Sequence, residues 1–289
     1  MITKLKNITR HLMRYTLITT SVTGGLLVMS TTIFAGKIDQ EIEAIFSDGG
    51  QETSEVITEN DLRDLPGPVQ KWLKVAGVIG TKKAISVRLR QEGFFRRSPD
   101  SDWMPYTAEQ YYTTDVPAFI WRAKIKASPV MRLLVRDKYE NGRGNMLIKL
   151  WSMIPVGNAT GPELDQGTLL RYLNETMWFP SVVLNEYITW EAVNDSAAKA
   201  TMEYEGVKAS AVFYFNNRGM VENMTADRYM EKDGEFEMHQ WSTPISGYKE
   251  FHGITIPAEG EGVWDLPSGD FSYIRLEIMD IEYNVPEQY

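Results

Sequence analysis

Thr160 to Pro180 reads TGPELDQGTLLRYLNETMWFP, the one amphipathic helix set among segments that otherwise alternate like strands. Pro162 suits a first helical turn, and Thr160 with Glu163 matches a capping box. Glu163 and Asp165 complement the positive end of the helix dipole. Leu169, Leu170, Leu173 and Met177 fall on one face, and Pro180 stops the run behind Trp178. Glu163 and Asp165 lie two positions apart, about 200° around a helix, so they do not form a catalytic pair. Arg171 and Glu175, four apart, are expected to pair on the helix surface, or to form a polar gate at a cavity mouth.

Outward from this helix the apolar period is two. On its N-terminal side Ile85, Val87 and Leu89 alternate with polar residues, as do Phe119, Trp121, Ala123 and Ile125. Candidate strands also cover Tyr106 to Thr113, Leu133 to Tyr139 and Met146 to Ile154, the last two joined by the hairpin signal Asn141-Gly142. On its C-terminal side strands are expected at Tyr187–Val193, Ala198–Tyr204, Val207–Phe215, Met220–Tyr229, Phe236–Tyr248, Thr255–Trp264 and Phe271–Tyr283. In the last, Ile274, Leu276 and Ile278 face one way and Ile281 and Tyr283 the other, which predicts a β-bulge. Ahead of the strands Val69, Trp72, Leu73 and Ala76 form a helical stripe after Pro68, ended by Gly77. The fold is therefore mainly β (α+β). Roughly ten to eleven antiparallel strands curl into a partly open barrel, with the 160–180 helix as lid or plug and helices before it.

Three segments result: 1–35 as signal peptide or membrane anchor, 36–59 as helix and linker, and 60–289 as a single β-rich domain. Tyr15 to Ala35 contains no charge and is long enough to cross a bilayer at ~1.5 Å per residue. Lys4, Lys6, Arg10 and Arg14 precede it, and Asp39, Glu41 and Glu43 follow, so the body is expected outside the cytoplasm. Ile33-Phe34-Ala35 resembles a cleavage site, and both a cleaved and an anchored form stand. With net charge −9 overall and its basic N-terminus set aside, the body is strongly acidic, which disfavours nucleic-acid binding. The absence of cysteine excludes disulfides and thiolate metal sites.

Catalytic signatures are sparse. His239 and His252 have no metal-ligand spacing, no G-x-S-x-G elbow occurs, and Gly142-Arg143-Gly144 is a turn; no cofactor or metal is expected. Trp121, Trp151, Trp178, Trp190 and Phe213, with Arg171, are the candidate ligand-binding residues. In a filled barrel these rings are core. In an incompletely filled one they line a pocket for a lipid or other apolar ligand. Arg122, Lys124 and Lys126 form a basic row on the other face of their strand, facing solvent, an anionic headgroup or a partner.

The strings LPGPVQKWL (Leu65–Leu73), WRAKI (Trp121–Ile125), GPELDQGTLLRYLNETMWFPS (Gly161–Ser181) and TWEAV (Thr189–Val193) resemble an uncharacterised bacterial family, a domain of unknown function, over most of Leu65 to Tyr283. The layout also resembles the unclosed barrel of periplasmic lipoprotein carriers and related sigma-factor regulators, which implies a sheet and helical lid around an apolar cavity. Three functions remain: an exported binder of an apolar ligand, an envelope hydrolase using carboxylates on a glycan or ester, and an anchored interaction or stress-sensing module.

Overall fold

The computed structural model describes residues 29–49, 55–232 and 234–289. Most of the expected anchor and the core of the linker fall outside them. Among the described residues no helix is long and apolar enough to cross a membrane. The described residues hold three α-helices: α1 (29–48), α2 (Gly67–Ala76) and α3 (Pro162–Glu175). The strands before α3 are β1 (Ser86–Phe95), β2 (Met104–Thr113), β3 (Ala118–Lys126), β4 (Arg132–Glu140), β5 (Arg143–Leu150) and β6 (Ile154–Ala159). After it come β7 (Ile188–Asn194), β8 (Ala197–Tyr204), β9 (Val207–Phe215), β10 (Val221–Lys232), β11 (Glu235–Ser242), β12 (Ile245–Phe251), β13 (Ile254–Asp265) and β14 (Phe271–Tyr283).

All fourteen belong to one antiparallel sheet in the order β6-β5-β4-β3-β2-β1-β14-β13-β11-β10-β9-β8-β7, with β12 also on β13. The chain segment holding α3 links the two edge strands. That position is the architectural key: α3 packs on β4 and β5 near one edge and on β8, β9 and β10 near the other. The curled sheet is thus a half-barrel bridged internally by its own helix, as the strand pattern predicts.

The strand count exceeds the expectation for two local reasons. Met146–Ile154 is not one strand, because Trp151 and Ser152 take positive φ (49° and 63°) and turn the chain into the unanticipated β6. Phe236–Tyr248 splits at Thr243-Pro244, where proline has no N–H for a ladder. Its halves β11 and β12 share one edge of β13. The bulge in β14 occurs where expected, with Arg90 opposite Asp280 and Gln91 opposite Ile278. The hairpin at Asn141-Gly142 has positive φ at both residues (50° and 73°).

The interior is filled unevenly. At the α2 end Trp72 is fully buried and stacks on Phe213, 6.3 Å between centroids, with Phe215 and Trp190 alongside. Deeper in, Tyr112, Tyr139, Tyr172 and Phe179 pack into a second aromatic group. On the convex face α1 buries Phe34, Ile38, Ile42 and Ile45 against Tyr111, Ala118 and Ile120. Arg122 is held there by Asp39 and Glu109, so it is not part of an open basic row.

Candidate functional site

Register places Gln110 opposite Trp121, Trp121 opposite Asp137, and Asp137 opposite Met146. These residues form one inward-facing row across β2 to β5, and α3 lays Arg171 directly upon it. The Arg171 guanidinium donates to Asp137 (2.6 Å), Glu175 (2.8 Å) and Gln110 (3.3 Å) and lies 5.1 Å from the Trp121 ring centroid. Glu175 accepts two further bonds, from Gln110 (2.8 Å) and Tyr112 (3.0 Å). Gln91 donates to Gln110 and accepts from Tyr106.

This network is buried. The Arg171–Glu175 pair expected on the helix surface is interior, because α3 lies inside the half-barrel with both faces covered. Burial alone would discharge Arg171, but Glu175 and Asp137 outweigh it and hold the guanidinium above its ordinary pKa. Burial pushes the Glu175 carboxyl up, opposed by Arg171, Tyr112 and Gln110.

Above this polar floor the barrel is hollow. A cavity of about 750 Å³ extends toward the ends of β1, β3, β4 and β5. Ile125, Leu133, Val135 and Ile148 line one wall, Trp241, Trp264 and Ile274 the other, and Met177 and Trp178 the α3 side. Arg228 stands in the far wall, 4.5 Å from the Trp241 centroid and 5.7 Å from that of Trp264. Its bonds to the Tyr273 hydroxyl and the Gly167 carbonyl are long, 3.4 Å each. Asp137 Oδ1, Trp121 Nε1 and Trp241 Nε1 are buried without a protein hydrogen-bond partner.

The α3 N-terminus is fixed differently from the sequence expectation. The capping box of Thr160 and Glu163 does not form; Gly161 (φ 128°) is the cap residue and no side chain caps it. Asp165 instead reaches across to the β4–β5 hairpin, accepting from Gly144 N (2.7 Å) and Arg143 Nη1 (2.8 Å). This clasp sets the position of α3 against the sheet, and with it that of Arg171.

Of the six candidate residues, Trp121, Arg171 and Trp178 line the cavity. Trp190 and Phe213 lie instead in the packed group around Trp72. Trp151 is in the β5–β6 turn, partly exposed, donating to the Val130 carbonyl (2.9 Å). Sequence reasoning missed Gln91, Gln110, Asp137 and Arg228. A signal existed: Asp137 is in phase with the inward Leu133, Val135 and Tyr139, and Arg228 with Met224 and Ala226. A polar side chain on an apolar strand face marks a buried network or a ligand wall.

No curated protein matches the chain. Among solved structures, a LolA superfamily protein from Nitrosomonas europaea is 11% identical, with a TM-score of 0.44, covering 75% of this chain and 94% of its own. A domain named for outer membrane lipoprotein sorting, from Vibrio parahaemolyticus, is 8% identical with a TM-score of 0.41, covering 76% and 95%. Residues 55–276 match the model of a family of unknown function, DUF6544, and the chain belongs to that family.

Proposed function

We propose that this protein is an exported, non-enzymatic carrier or sensor that holds a lipid or similar apolar ligand in the half-barrel, beneath the C-terminal end of α3. The observation that carries this is the cavity of about 750 Å³, within the ~300–1,000 Å³ typical of small-molecule sites. Its walls are mainly apolar and aromatic, with Glu231, Glu259 and Glu261 also on the lining, its floor is the polar network around Arg171, and Arg228 offers a cation to a polar head.

A hydrolase would need an inward carboxylate free to act on substrate. Glu175 spends both oxygens on Arg171, Gln110 and Tyr112, and Asp137 gives Oδ2 to the same guanidinium, so that its unpartnered Oδ1 belongs to an ion-paired carboxylate with no second free carboxylate in the network. That arrangement favours binding over hydrolysis.

The N-terminal segment is proposed to remain attached as an anchor. Cleavage after Ala35 would cut within α1, whose Phe34 is buried and whose Ser30 donates to the Ser152 carbonyl (2.8 Å). Intact-mass measurement of the full chain recovered from membranes decides between the two forms.

The binding reading is tested by gentle purification of the full chain and mass spectrometry of extracted lipid, together with titration of a fluorescent fatty acid. Co-purifying lipid, and saturable probe binding weakened by Trp178→Ala, are expected. A chain that carries no lipid and does not bind the probe overturns the proposal.

A further inference from the structure

We infer that the open end of the half-barrel is a membrane-docking surface for anionic bilayers, placing the cavity mouth against the lipid. Three segments meet there. The β3–β4 turn and the β5–β6 turn are joined by the Trp151 Nε1 bond to the Val130 carbonyl. The first described turn of α1 is tied to the second of these by Ser30 and Thr31, both bonded to Ser152. Exposed large apolar side chains adjoin one another here: Val130 is 78% exposed, Ile33 62% and Val156 55%, with Met131, Trp151 and Met153 also exposed. Water-facing side chains of this size on adjoining turns form a surface that favours an apolar partner. Met131 and Val156 also line the cavity, so the apolar rim is continuous with its interior.

Charge and chain continuity select the partner. Lys126 pairs in register with Arg132 at the ends of β3 and β4, and Lys124 is one outward position further in. Lys149, on the outer face of β5, lies 4.2 Å from the Phe34 ring centroid. On a protein of net charge −9, these basic side chains stand between exposed apolar turns and a groove that also holds Glu92, Glu259, Glu261 and Glu277, and on the turn side they fit anionic headgroups over acyl chains. The uncharged run Tyr15–Ala35 enters the described structure at this same end, through the first described turn of α1. A membrane anchor arriving there holds the mouth, and not the closed α2 end, near the bilayer.

The absence of cysteine permits single-site labelling. Full-length Val130→Cys carries an environment-sensitive fluorophore. Val193→Cys, on β7 at the α2 end and also exposed, serves as the control. Both are reconstituted into vesicles of phosphatidylethanolamine with phosphatidylglycerol, some containing brominated acyl chains. The Val130 probe is expected to shift to the blue and be quenched by bromine, and the Val193 probe to stay water-exposed. Adding Lys124→Gln and Lys126→Gln is expected to weaken docking by roughly thirtyfold, at ~1 kcal/mol per basic residue near an anionic surface. Leu133→Trp, which narrows the cavity, leaves docking unchanged and so separates this inference from cavity binding. Equal, unquenched signals at the two sites overturn the inference. So does a Val130 signal that responds to added envelope proteins and not to lipid. Quenching that is the same in phosphatidylcholine and indifferent to the lysine changes overturns the anionic specificity.

Discussion

Replacing Arg171 with methionine removes the cation from the centre of the polar row while roughly keeping the side chain's length. Asp137 and Glu175, both buried, then face each other's charge without the guanidinium between them. Breaking a buried ion pair from one side costs about 3–5 kcal/mol, because the surviving charge remains desolvated. At ~2–4 °C per kcal/mol for a domain of this size, Tm falls by about 6–20 °C. The loss is pH-dependent. In the variant the Glu175 carboxyl, pushed up by burial and now without the guanidinium that opposed that push, titrates higher in the folded chain than in the unfolded one, so the folded state binds its proton more tightly. The destabilisation is therefore full at neutral pH and relaxes as pH falls toward the unfolded carboxyl range near ~4. Urea unfolding of wild type and Arg171→Met at neutral and acidic pH measures this. The triple variant with Asp137→Asn and Glu175→Gln recovers much of the loss, since no buried charge is left uncompensated. If Arg171→Met unfolds within about 1 kcal/mol of wild type at every pH, the interior reading of this network is wrong.

Glu175→Gln alone gains stability relative to wild type as pH rises. The wild-type carboxyl has a raised folded pKa, so its contribution is present below the unfolded value and lost as pH climbs through the folded one; paired urea titrations across this window test the sign. Gly144→Ala pushes a methyl to 2.5 Å from Thr168 Oγ1 and 2.7 Å from the Leu164 carbonyl oxygen. A Tm loss corresponding to ~1–3 kcal/mol is expected in a thermal melt, because backbone cannot move aside as a side chain can. Leu133→Trp, at the cavity wall, is expected to lower fatty-acid affinity by at least about tenfold, the effect of ~1.4 kcal/mol, with Tm preserved. Unchanged affinity there would place the ligand elsewhere.

The chain's local patterns determined most of its architecture. Period-two alternation, turn residues such as Asn141-Gly142 and the phase change in β14 are written in neighbouring residues, as is the apolar stripe of α3, so strands, bulge and helix could be read directly. Met146–Ile154 reads as one strand because neither Trp151 nor Ser152 is a residue that advertises the left-handed backbone both adopt, and β6 emerges only in the structure. Sequence also singled out Arg171, Trp121 and Trp178, but could not separate them from Trp190 and Phe213, whose local surroundings look alike. Only the tertiary structure decided that. Which inward rings meet a cavity and which meet Trp72 depends on how far the sheet curls and where α3 crosses it. The same holds for Arg171 and Glu175: their spacing dictates that they pair, but whether the pair faces water or the interior is set by the β4–β5 hairpin that clasps Asp165, twenty-odd residues away in sequence and in contact only after folding.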